Sequence, residues 1–208
     1  MFFGTMIFPG DPNTSTVYDL VNLNQTQFSL WDRYMLAVYF PSSPYFRPFQ
    51  IVTYMFMHGN FTHLLMNMFG LVFLGPYLER AWGPQKFLFY YLFTAIGALL
   101  AQWGVQYIEV NFAGASPFSL NVPMLGASGA VFGILAAIGM QWPNAILQFI
   151  FPPISMKAKY FVLLYAAIEL FLGVGNFQTG VAHFAHLGGA AFGVLLILYW
   201  RKKGERLY

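Results

Sequence analysis

From Phe61 onward the chain reads as long apolar runs cut by short clusters of breakers. A helix needs roughly 20 apolar residues to cross a hydrocarbon core. Five runs are read as full spans: Phe61 to Leu78, Phe87 to about Ile108, Met124 to Trp142, Tyr160 to about Val174, and Val181 to Trp200. Gly83-Pro84, Gly114 to Pro117, Pro143 with Pro152-Pro153, and Gly173 to Gly180 separate them, and glycine and proline end helices by backbone geometry. The expected fold class is all-α, a polytopic helical bundle in a membrane.

Residues 1–57 break the pattern. Met1 to Phe8 (MFFGTMIF) is apolar but too short to cross, and a polar stretch from Pro9 to Gln27 follows it. Without a basic n-region or an A-x-A site it does not read as a signal peptide. The preferred reading is the trailing end of a helix that begins upstream of Met1; the alternative is an interfacial N-terminus. Ser29 to Phe40 (SLWDRYMLAVYF) opens on a serine suited to an N-cap and is rich in aromatics. It too is short, so it is expected to lie in the interface.

Composition agrees. Of 208 residues, 58% are hydrophobic, 20% aromatic and only 8% charged, where soluble domains carry about 25% charged residues. A core of this size could not hide so much apolar surface from water, and the chain is too apolar for disorder. With no cysteine, disulfides, thiolate zinc sites, iron–sulfur clusters and cysteine nucleophiles are excluded. The net charge is +3, and four of the ten Lys/Arg crowd the tail (Arg201, Lys202, Lys203, Arg206), so no basic groove for nucleic acid is expected.

Charge also orients the bundle, because Lys and Arg accumulate on the cytoplasmic side. Arg80 and Lys86 lie between the first two spans, and Lys157 and Lys159 between the third and fourth; with the tail they share one side and leave Arg33 and Arg47 on the other. The C-terminus is therefore expected in the cytoplasm and residues 9–57 outside.

Polar groups inside spans are costly and mark function by default. His63 and Asn67 stand near the outer start of the first span, four apart and so on one helical face. Ser128 is expected four residues into the third span and His186 five or six into the fifth. At about 1.5 Å per residue, Ser128 and His186 are within roughly 6–10 Å of their outer helix ends. Three spans thus deliver Ser, His, His and Asn to one level.

Such a set suits acyl transfer. A serine hydroxyl is a poor nucleophile until a base takes its proton, and imidazole is the usual base. Backbone N–H groups, amides and imidazoles can hold the oxyanion. Gly126-Ala127-Ser128-Gly129 lets backbone and substrate approach closely. Gly129 with Gly133, and Gly189 with Gly193, form small-xxx-small patterns that bring two helices within reach of a Ser–His hydrogen bond. The plainer alternative is a packing motif in which Ser128 bonds a backbone carbonyl.

At these residues the sequence resembles the rhomboid family of intramembrane serine proteases. The matching stretches are His58-Gly59-Asn60-Phe61-Thr62-His63-Leu64-Leu65-Met66-Asn67, Leu78-Glu79-Arg80-Ala81-Trp82-Gly83, Gly126-Ala127-Ser128-Gly129 and Ala185-His186-Leu187-Gly188-Gly189. They stand in the family's order and span about residues 45 to 200. The resemblance implies a Ser–His dyad with Ser128 as nucleophile and His186 as base. It implies an oxyanion hole from His63, Asn67 and the backbone at Ala127 and Ser128, supported by Gly126, Gly129, Phe132 and Gly189. Glu79 and Gly83 match a structural E-x-x-x-G turn.

Rhomboids cut other proteins within or beside a transmembrane helix near the outer face, preferring small residues and locally unwound helix. Their six-span core implies that residues 1–8 are the remnant of a first helix. It further implies an external loop with an interfacial helix over 9–57, the catalytic core over 58–200 and a cytoplasmic basic tail over 201–208. Two departures are visible. Phe132 stands where many members have a tyrosine stacking on the base, and Phe49-Gln50 replaces a Trp-Arg pair of the first loop. Neither removes a chemical step.

The expectation is an intramembrane serine endopeptidase without cofactor, in a bacterial inner (plasma) membrane, with the bilayer and transmembrane proteins as its partners. Glu169 is read as a structural hydrogen-bond partner rather than an orienter of the base. The four histidines (His58, His63, His183, His186) share the outer end, but no H-E-x-x-H, cysteine or neighbouring carboxylate supports a metal. A silent helix-binding relative would lack the serine or the base, and a transporter would need polar groups through the whole bilayer.

Overall fold

The computed structural model describes residues 34–148, 155–175, 181–205 and 207. The apolar Met1–Phe8 segment and the first part of the Ser29–Phe40 stretch lie outside these residues. A short helix α1 (Gln50–Thr53) runs into a 3-10 turn at Tyr54–Phe56. Then come α2 (Phe61–Trp82), α3 (Pro84–Phe112), a 3-10 turn at Pro117–Asn121, α4 (Ser128–Gln141), α5 (Ala158–Val174) and α6 (His183–Lys202). Between α4 and α5, strands β1 (Ile146–Gln148) and β2 (Ser155–Lys157) pair antiparallel with Ile146 opposite Lys157. Three-residue strands are too short to leave a periodic signal in the sequence.

The helices α2 to α6 correspond to the five expected runs. Helices α2, α3 and α6 are long and apolar enough to cross a membrane, whereas α4 has 14 residues and α5 has 17. Their large apolar residues, such as Phe69, Phe73, Leu88, Leu100, Leu163, Phe171 and Leu198, are exposed along the helix faces. Continuous apolar faces of that size need a lipid solvent, and the chain is an integral membrane protein.

By contacts the chain divides into two compact units, Met1–Met68 with Gln106–Ala127, and Phe69–Val105 with Ser128–Tyr208. In the first unit, the Gln50 amide donates to the Met35 carbonyl (3.0 Å) and the Thr53 hydroxyl to the Leu36 carbonyl (2.8 Å). With these carbonyls taken by side chains, the chain leaves the helix after Tyr34, and Met35–Phe40 is not helical. Val38 forms an antiparallel bridge with Met124, N–H to carbonyl at 2.9 and 2.8 Å. That bridge, Pro123 before it and Gly126 at φ +116° keep the chain extended up to Ala127. The serine helix therefore begins at Ser128, four residues later than its apolar pattern suggests.

In the second unit, Gly83 adopts φ +82° and donates its N–H to the Glu79 carbonyl at 2.8 Å. This closes α2 as a left-handed glycine does, and Pro84, which lacks an N–H, opens α3. The interior is set by small residues. A β-carbon on Gly133 would strike Thr94, one on Gly193 the Tyr90 hydroxyl, and one on Gly189 the carbonyl oxygen of Gly129. The Tyr90 hydroxyl uses the space to donate to the Gly133 carbonyl at 2.7 Å. The basic end is tied together as well: Arg201 donates to the Met140 carbonyl (2.8 Å), Trp82 to the Leu207 carbonyl (3.0 Å), and Lys86 pairs with Glu205.

Gly189→Ala meets backbone, which cannot rotate away, so it is expected to cost about 1–3 kcal/mol of stability through overpacking. Gly104→Ala, with nothing within 4 Å, is expected to leave the melting transition in detergent unchanged or slightly raised. Thermal unfolding of the two variants beside the parent checks both.

Candidate active site

Ser128 is the first residue of α4, so helix geometry leaves its N–H without an intrahelical acceptor. His186 is the fourth residue of α6, one turn from that helix's start. Because Gly129 and Gly189 let α4 and α6 touch backbone to backbone, the Ser128 Oγ and His186 Nε2 come to 2.7 Å. Phe132, one turn further along α4, lies flat on the imidazole with ring centroids 4.3 Å apart and planes 8° apart. Stacking needs only the ring face, which phenylalanine supplies as well as tyrosine. His186 is buried and Ser128 half-buried.

On the far side of the imidazole stands Glu169 of α5. Its Oε2 is 2.7 Å from the His183 Nδ1 and 3.1 Å from the His186 Nδ1. The first is a hydrogen bond; the second is ion-pair distance without hydrogen-bond alignment. All three side chains are buried. Glu169 thus hydrogen-bonds His183, a partner the sequence did not name, and stands within reach of His186 as well. The spacing of His183 and His186, three apart on one helix face, was the available signal; the sharing of one oxygen was not.

His63 and Asn67 belong to the first unit. Asn60 precedes α2 as its N-cap, its side-chain oxygen accepting the His63 N–H at 2.8 Å. The His63 Nδ1 accepts the Gly59 N–H at 3.4 Å, which leaves the ring's own proton on Nε2 as a donor. Asn67, buried, gives one amide proton to the His63 carbonyl at 2.8 Å and keeps a second. His58 stacks edge-on against His63 at 5.1 Å. Burial lowers its pKa to about 4, and the neighbouring His63 adds to the effect. Among the described residues no three His, Asp or Glu side chains are arranged to hold a metal ion.

Residues 45–203 match the model of the Rhomboid domain family. The chain is 35% identical over 153 residues to the rhomboid protease AarA of Providencia stuartii, covering 68% of this chain and 52% of that protein. It is 33% identical over 205 residues to the mitochondrial rhomboid protein 1 of Saccharomyces cerevisiae, covering 91% and 54%. Against the chloroplastic rhomboid-like protein 11 of Arabidopsis thaliana it is 35% identical over 159 residues, covering 72% and 51%. The chain spans about half the length of these curated relatives.

The lowered pKa of His58 predicts a pH effect. Its folded value, about 4, lies below the ordinary 6.5, so the unfolded chain takes up the proton first as pH falls. Stability is expected to decline from about pH 6.5 toward pH 4 on this account and to be full above that window. Thermal unfolding across pH 4–7 is expected to show a shallower decline in His58→Gln than in the parent.

Proposed function

The chain belongs to the rhomboid family, and on that premise we propose that it is a serine-type intramembrane endopeptidase. The observation that carries the reading is the 2.7 Å hydrogen bond between the Ser128 Oγ and the His186 Nε2, with the serine at a helix start and the imidazole pinned under Phe132.

In this reading the Ser128 oxygen attacks a substrate carbonyl carbon while its proton passes to the His186 Nε2. The carbonyl π electrons move onto oxygen, and the oxyanion takes a hydrogen bond from the Ser128 N–H; the family pattern assigns His63, Asn67 and the backbone at Ala127 to the same hole. The C–N bond then breaks as the Nε2 proton goes to the leaving amine. A water, deprotonated by the same nitrogen, hydrolyses the acyl-enzyme and returns the proton to Ser128. Gly126 and Gly129 keep the approach to the oxygen open.

Substrates in this proposal are transmembrane proteins, cut near the outer face where small residues loosen the helix. That orientation follows from the basic residues at the opposite end, and it puts the C-terminal tail in the cytoplasm.

A fluorophosphonate, which phosphonylates activated serines, is the direct test in detergent-solubilised protein. Labelling is expected in the parent chain and is expected to fall at least about 100-fold in Ser128→Ala and in His186→Ala. Labelling that persists in Ser128→Ala, or a folded parent that neither labels nor cleaves a membrane substrate, overturns the proposal.

A further inference from the structure

We propose that Glu169, anchored by His183, is a positioning residue for His186, so that the site works as a serine–histidine pair backed by a carboxylate. The inference rests on the assignment of Ser128 and His186 as nucleophile and base.

Three observations lead to it. First, a carboxylate buried in an apolar helix of a membrane protein is costly unless donors converge on it, and Glu169 Oε2 has two imidazole nitrogens at 2.7 and 3.1 Å. If Glu169 served only to satisfy His183, a neutral acceptor such as a glutamine carbonyl would suffice, and no second ring would need to stand beside the same oxygen. Second, the Ser128–His186 bond has a direction. For the Oγ–H to donate to Nε2, that nitrogen must be bare and the ring proton must sit on Nδ1. An ionised carboxylate accepts and never donates, so beside Nδ1 it favours the one tautomer in which His186 can act as base.

Third, the surroundings allow the remaining adjustment and prevent others. The His186 Nδ1 is close to Oε2 but off the hydrogen-bond line, and catalytic hydrogen bonds often tighten only when substrate binds. Phe132, parallel to the imidazole within 8°, resists tilting but lets the ring slide along its face. A small slide of that kind brings Nδ1–H toward Oε2 without loss of stacking. His183, three residues earlier on α6, holds the carboxylate by the shorter bond and keeps it from turning away.

The proton account is simple. The serine proton goes to Nε2, the Nδ1 proton stays on the ring, and Glu169 remains ionised throughout. Its contribution is to hold the ring's orientation and to stabilise the imidazolium that exists while the tetrahedral intermediate does. The carboxylate never touches the reacting atoms.

The test compares the full parent chain with Glu169→Gln, Glu169→Asp and Ser128→Ala in detergent micelles, cleaving one transmembrane substrate. Glutamine keeps the shape and removes the charge. Its kcat is expected to fall about 10- to 100-fold with KM within about twofold, while aspartate recovers part of the loss. A folded Glu169→Gln protein with parental kcat overturns the inference, and so does one whose only change is a lower melting temperature. Should Glu169→Gln not fold, the ring-nitrogen NMR shifts of His186 in the parent decide. Protonation on Nδ1 is expected, and protonation on Nε2 overturns the inference. Cleavage that survives in Ser128→Ala removes the underlying assignment instead, so the two failures are distinguishable.

Discussion

A β-carbon at Gly189 would run into the carbonyl oxygen of Gly129, and this bare contact between two helix backbones sets the distance on which the rest of the site depends. A serine side chain reaches only a short way from its backbone. For its oxygen to meet an imidazole on another helix, the two helices must approach more closely than ordinary side chains allow. The same approach lets Phe132, one turn on from Ser128, cover the imidazole face. Loosening α4 from α6 would therefore break the hydrogen bond and the stack together.

Around this contact the apolar interior carries few polar groups, and several of them are paired within it. The Tyr90 hydroxyl ties α3 to the Gly133 carbonyl of α4, and the Thr94 hydroxyl turns back onto carbonyls of its own helix, so neither exposes a dipole to lipid. Glu169 and His183 solve the same problem with a charge. In hydrocarbon an unpaired carboxylate would be intolerable, so the acid of α5 and the imidazoles of α6 hold one another in place. The polar cluster and the glycine contact depend on each other, since His186 belongs to both.

Much of this was legible in the chain. The five runs, their breakers and the side on which the basic residues gather follow from hydropathy and from Gly83-Pro84-type interruptions, because a bilayer demands long apolar helices and turns must be made outside it. The polar residues near the helix ends opposite the basic ones were equally visible. The start of α4 was not: Met124 to Ala127 is as apolar as the helix it precedes, but Met124 is held by Val38 from far away in sequence. Within the Ser29–Phe40 stretch the helix ends at Tyr34 for a related reason, the carbonyls of Met35 and Leu36 being claimed by Gln50 and Thr53. The β1–β2 hairpin was simply too short to register.

By itself, the sequence determined that this is a bundle of apolar helices for a membrane, which ends of those helices carry charge, and which residues could do acyl-transfer chemistry. Local propensity and hydropathy suffice for these, since each is a property of neighbours along the chain. Only the tertiary structure decided that the Ser128 Oγ and His186 Nε2 stand 2.7 Å apart, that Phe132 lies flat on the ring, and that Glu169 divides one oxygen between two histidines. Those are contacts between residues up to 58 positions apart, and they come from how closely the helices pack and turn against one another, which no single helix records.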